Sequence, residues 1–147
     1  MAIITENGIL LNQKFSNKKE VLRKLSELSV ELGISSSKNE VFKSYVDREN
    51  EGLTGMMNNF AIPHAKSSSV KTAQILFIRN ENDIEDWETL DESKVNLIIS
   101  LLIPEDNNEE HLKLLANISR KLMNEENIEI LKNAKTKDEI LKLLSII

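Results

Sequence analysis

The stretch "VNLIISLLIP", residues 95–104, constrains the fold more than any other part of this chain. Only Asn96 and Ser100 interrupt its apolar side chains before Pro104 ends it. A strand with one wet face alternates apolar and polar residues, whereas a near-continuous run reads as a strand buried on both faces. "AQILFIR", residues 73–79, has the same character. Phe60, Ala61 and Ile62 read as the end of a further buried strand. Between the two longer runs, "NENDIEDWETLDES" is strongly acidic and reads as a solvated loop held down by one aromatic, Trp87.

The rest of the chain supplies the covering helices. In "SNKKEVLRKLSELSVELG", Val21, Leu25, Leu28 and Leu32 keep helical spacing, with Asn17 and Glu20 as a capping box and Gly33 as the stop. In "SSKNEVFKSYVDRENEGL", Ser37 and Glu40 repeat the start signal, and Val41, Phe42, Tyr45 and Val46 form the buried side. A third helix is expected from near Asn107 through "EEHLKLLANISRKLM". Two shorter ones follow, around "NEENIEILKNA" and "TKDEILKLLSII", the last with Thr136 and Glu139 as a capping box. Strands interleaved with helices imply an α/β layer fold, and 147 residues suit one such domain spanning 1–147.

Composition removes several function classes. The net charge of −5, without a basic stripe, argues against nucleic-acid binding, and few aromatics leave little for base stacking. No apolar run approaches the ~20 residues of a bilayer span, so no membrane insertion is expected. "MAIITENGIL" is a poor signal peptide. The chain has no cysteine, which removes thiolate chemistry and fits a cytoplasmic location.

Three side chains stand out. Pro63 cannot donate to a sheet ladder and pushes Ile62 towards an extended shape, so His64 is expected where a strand ends and a loop begins. Sites in open α/β sheets gather outside the carboxyl ends of strands; a surface-loop histidine of no consequence has the same local sequence. His111 lies in the first turn of the third helix, above Leu115, Ile118 and Leu122. It is either an inward-pointing core histidine or a neutral donor at a helix N-terminus that favours an anion. Arg48 continues the buried stripe of the second helix, and either snorkels past the core edge or aims its planar fork into a site. Lys66, Ser67, Ser68 and Ser69 offer donors to a phosphate, as would any polar loop. There is no glycine-rich phosphate loop and no H-E-x-x-H motif, so no metal is expected.

Taken together, "DRENEGLTGMMNNFAIPHAKSSSV" and "VNLIISLLIPEDNNEEHLKLLANISRKL" resemble the IIA domain of the fructose/mannitol type, a component of the bacterial phosphoenolpyruvate-dependent sugar phosphotransferase system. The likeness covers nearly the whole chain. It rests on "AIPHAKS" around His64, "EEHLKLLA" around His111, and the pair Arg48–Glu49. It implies a single α/β domain with a mixed, mostly parallel sheet sandwiched between helices. It implies a phosphotransferase role in which His64 takes a phosphoryl group from the histidine phosphocarrier protein and passes it to the IIB component of a sugar permease. His111 then serves as hydrogen-bond donor and Arg48 as charge stabiliser; Ser67 and Ser68 complete the cradle, and no cofactor is needed. Some members of the family are instead phosphorylation-state sensors that bind other proteins, with the same residues.

One motif departs from the family. Where T-G-x-G-x-G is common, Thr54 and Gly55 remain but Met57 and Asn59 replace the later glycines. Asn59 tolerates a left-handed backbone and Met57 does not. A reshaped loop is expected, with Met56, Met57 and Phe60 as an apolar contact for a partner.

Overall fold

The computed structural model describes residues 2–106 and 108–145. At its centre is the strand that the longest apolar run demands, β5 (Val95–Pro104). On one side β5 pairs antiparallel with β4 (Gln74–Ile84). On the other it pairs in parallel with two short strands in succession, β2 (Phe60–Ala61) and β3 (His64–Ser67). β1 (Ile9–Gln13) runs parallel to β4 at the opposite edge. The sheet is therefore mixed and mostly parallel.

Helices cover both faces, which is why the β5 sequence does not alternate. Leu97, Ile99, Leu101 and Ile103 pack with α3 (Asn108–Leu122), α4 (Glu125–Asn133) and α5 (Lys137–Leu144). Ile98 and Leu102 point the other way, into the core made with α1 (Lys18–Glu31) and α2 (Lys38–Glu51). Burying one such side chain is worth ~1.5–3 kcal/mol, so neither face can be left bare.

Local signals place the helix ends. Asn17 accepts from the Glu20 N–H at 2.9 Å while the Glu20 carboxylate accepts from the Ser16 N–H at 3.2 Å. Gly33, at φ 73°, takes the left-handed turn that stops α1. Ser37 caps α2 by accepting from the Glu40 N–H at 3.2 Å. At α5 the expected box is only half formed. Thr136 makes no side-chain cap bond, and Glu139 reaches back to the Lys135 N–H instead, at 3.2 Å. Asn107, where the sequence reading begins the third helix, lies outside the described residues.

Three features differ from the sequence reading. β1 is not marked by its short run "ILLNQ": Leu10 and Leu11 are only partly buried and Asn12 turns left-handed at φ 58°, so the period is lost. β4 continues to Ile84, past the expected end at Arg79. There Asn80 is buried and paired with Gln13 of β1, and its side chain accepts from the Phe15 N–H at 2.7 Å and donates to the Phe15 carbonyl at 3.0 Å. Finally, His64 opens a strand rather than a loop. Pro63 interrupts the ladder for want of an N–H, but its carbonyl accepts from the Leu101 N–H at 3.0 Å and pairing with β5 resumes at His64.

Candidate active site

The site is built where β3 runs beside β5. In register, His64 lies beside Leu101, Ala65 beside Leu102 and Lys66 beside Ile103. Leu101 and Ile103 face α3, so His64 and Lys66 do too, while Ala65 joins the α1/α2 core. After Pro104 the chain turns and α3 begins, which brings His111, in its first turn, over the same face. The His64 and His111 rings meet edge to face, with centroids 5.1 Å apart and planes at 62°. Arg48 comes from the last turn of α2, which packs against β3.

Electrostatics hold both imidazoles neutral. Burial pushes the His64 pKa down from 6.5 to about 4, helped by the charges of Arg48 and His111, while the Ile62 backbone acts the other way. His111 is lowered as well, by burial first and then by Lys66 and Arg48. Among the described residues, His64 Nδ1 and His111 Nε2 are buried without a hydrogen-bond partner. Buried polar atoms are normally satisfied, so these two nitrogens are left to a hydrogen-bond partner from outside the chain, water included.

The serines are placed differently from the imidazoles. Ser67 Oγ is buried and lies 2.8 Å from Ser69 Oγ, which in turn accepts from Ser35 Oγ at 3.1 Å. This row stands on the α2 side of β3, opposite His64. Ser68 is exposed. Among the described residues no group of three or more His, Cys, Asp or Glu side chains gathers as a metal site.

A family profile described as "Phosphoenolpyruvate-dependent sugar phosphotransferase system, EIIA 2" matches residues 2–146. The chain belongs to this family. Among its relatives is the "PTS system fructose-like EIIA component" of Escherichia coli, 31% identical over 145 residues, covering 99% of this chain and 97% of the relative. The crystal structure of the nitrogen regulatory protein IIA-Ntr from Neisseria meningitidis superposes with a TM-score of 0.89 at 30% identity, covering 97% of this chain and 96% of that one. The complex of enzyme IIAMtl with phosphorylated enzyme IIBMtl from Escherichia coli shares the fold, with a TM-score of 0.80 at 24% identity and 96% of each chain covered. The EIIA 2 chain thus has relatives named as phosphotransferase-system EIIA components and as nitrogen regulatory proteins.

In this EIIA chain the loop with missing glycines is ordered by other means. The left-handed turns fall on Asn58 (φ 57°) and Asn59 (φ 71°), and Met57 is spared one. Asn59 Nδ2 donates to the Lys94 carbonyl at 2.7 Å, and the Asn58 N–H donates to Asp91 at 3.2 Å. Gly55 is required by close approach: a Cβ there would stand 1.9 Å from the Glu88 carbonyl oxygen. Phe60 cannot be the expected partner contact, because it is 1% exposed and belongs to the core; Met57 is exposed, and Met56 is partly buried against the core. Two contributions were not legible in sequence. Lys66 bears on His111 through its charge, and Glu49, next to Arg48, is bound to Thr54. Alternation along β3 signals the first once His64 is known to start a strand.

Proposed function

We propose that this chain is a phosphoryl carrier, with His64 as the residue that takes the group. The supporting observation is the His64–His111 pair, two adjacent imidazoles held neutral beside Arg48, in a member of the EIIA 2 family. A neutral ring nitrogen has the lone pair that attack on phosphorus requires. In the proposed step a nitrogen of His64 forms a bond to phosphorus as the phosphorus–nitrogen bond of the donor phosphohistidine, on the histidine phosphocarrier protein, breaks in line. The donor imidazole leaves with the electron pair. Arg48 offsets charge on the equatorial oxygens, and His111 donates a hydrogen bond to one of them; positioning and charge are what a loose phosphoryl transition state needs. Ser68, exposed and beyond Lys66, is the more accessible of the two serines for a bound phosphoryl group.

The onward acceptor is the IIB component of a sugar permease, of fructose type, in the cytoplasm. The fructose-like EIIA relative and the IIA–IIB pairing in the mannitol complex support this reading. The likeness to IIA-Ntr favours a second one, a phosphorylation-state sensor that binds other proteins.

The test is incubation with phosphoenolpyruvate, the general phosphotransferase enzyme and the histidine phosphocarrier. We expect a label on the chain that survives alkali and is lost in acid. Normal labelling of His64→Ala would overturn the assignment. Failure of the labelled chain to pass its group to any encoded IIB component would favour the sensor.

A further inference from the structure

Glu49 is a carboxylate whose side chain is only 7% exposed. It accepts from Thr54 Oγ1 at 2.6 Å and pairs with Lys18 Nζ at 3.3 Å. Thr54 is equally enclosed. Its Oγ1 accepts from Trp87 Nε1 at 3.0 Å, and its carbonyl accepts from the Ile62 N–H at 2.9 Å. Only Pro63, whose ring fixes its own φ, separates Ile62 from His64. On the other side of Glu49, Arg48 donates Nη1 to the Gly52 carbonyl at 3.2 Å, inside the span that the Glu49–Thr54 bond closes. One buried carboxylate therefore ties the end of α2, which carries Arg48, to the segment that carries His64.

A helix end can be pinned without a charge. Taking a carboxylate out of water costs several kcal/mol unless strong hydrogen bonds offset it. Charge-assisted bonds are shorter and stronger than neutral ones, so they hold their partners more tightly. The short bond to Thr54 has that character, and Trp87 and Lys18 leave neither partner free to turn away.

We propose that Glu49, acting through Thr54, is a positioning residue of the phosphoryl site, setting the separation of the Arg48 guanidinium from the His64 imidazole. Its effect on rate rests on the reading of His64 as phosphoryl acceptor; its effect on geometry does not.

Two readouts separate these. The first is the His64 pKa, followed by NMR of its ring protons in the full chain without phosphoryl donor. The second is the rate of phosphoryl uptake from the phosphorylated histidine carrier. The variants are Glu49→Gln and Thr54→Val, with Thr54→Ser as the conservative rescue. In Glu49→Gln and Thr54→Val we expect the His64 pKa to rise towards its ordinary value as Arg48 is released. Uptake should slow by about tenfold or more, since displacements of ~1 Å can cost on the order of a hundredfold. Thr54→Ser should restore both, and Glu49→Gln with Thr54→Val should be no worse than Thr54→Val alone. Should Thr54→Val fail to fold, Glu49→Gln decides. An unchanged His64 pKa in a folded Glu49→Gln or Thr54→Val chain overturns the proposal. If the wild-type chain never takes up label, the carrier reading fails, while the pKa comparison still decides the role of Glu49.

Discussion

His111 presents its ring to that of His64 at 62°, so each imidazole forms part of the wall around the other. Two rings this close cannot both be charged without repulsion, and Arg48 and Lys66 add positive charge nearby. The pair is thus neutral at neutral pH, and among the described residues each ring keeps a buried nitrogen without a partner.

His64 in the folded chain resists its proton down to about 4, against an ordinary value of 6.5. The unfolded chain therefore binds the extra proton between those values, and stability falls as pH falls through that window. The His64 contribution is fully present above about 6.5 and is lost towards about 4. Urea midpoints at about pH 7 and pH 5 should drop more for the wild-type chain than for His64→Gln. Equal drops would show that His64 is not held neutral.

His111 sits half-buried in the first turn of α3, and the core beneath it is made by Leu114 and Ile118. His111→Ala should therefore leave the fold intact, as judged by circular dichroism. If His111 donates to the phosphoryl oxygens, uptake should slow by ~10²–10³-fold, the usual cost of one preorganised donor. A collapsed fold would mark His111 as a core residue instead.

Gly55→Ala should be disruptive beyond its size. The added methyl meets the Glu88 backbone, not the flexible end of a side chain, so the two loops must part. We expect a loss of ~1–3 kcal/mol in urea unfolding. A wild-type midpoint would show that the loops are not locked together.

Tyr45 and Ser100 are both fully buried and share a hydrogen bond that joins α2 to the middle of β5. Burial raises the Tyr45 pKa well above its ordinary value, with the Ser100 bond opposing the shift, so the phenol stays protonated across the working range. Tyr45→Phe strands the Ser100 hydroxyl and should cost ~1–3 kcal/mol. Adding Ser100→Ala should recover part of that, which a double-mutant cycle in urea would measure.

The covering helices and the two long strands were legible because their signals are local. Capping side chains fall three residues apart, and a run such as Val95–Ile103 leaves few alternatives to a doubly covered strand. β1 was not legible, because its few apolar residues become a strand only by pairing with β4. Pro63 misled for a related reason. It does break the ladder, but whether a chain resumes pairing afterwards depends on the neighbouring strand, and Leu101 supplies that neighbour. Arg48, His64 and His111 were picked out by motif, whereas their convergence depends on α2 packing against β3 and on the turn after Pro104. The loop Thr54–Asn59 looked damaged without its glycines. Left-handed conformations moved to two asparagines, and bonds to Asp91 and Lys94 hold them there.

If His64 carries the phosphoryl group, its place at the start of a strand has a bearing on traffic through the site. A histidine on a loop can swing to meet each visitor, and each visitor must then halt the swing. A histidine fixed by the β5 ladder is aimed before anyone arrives. Successive partners of such a residue would meet one unmoving target, and the work of matching it would fall on them. Any two of them would have to present similar shapes there, however different their folds.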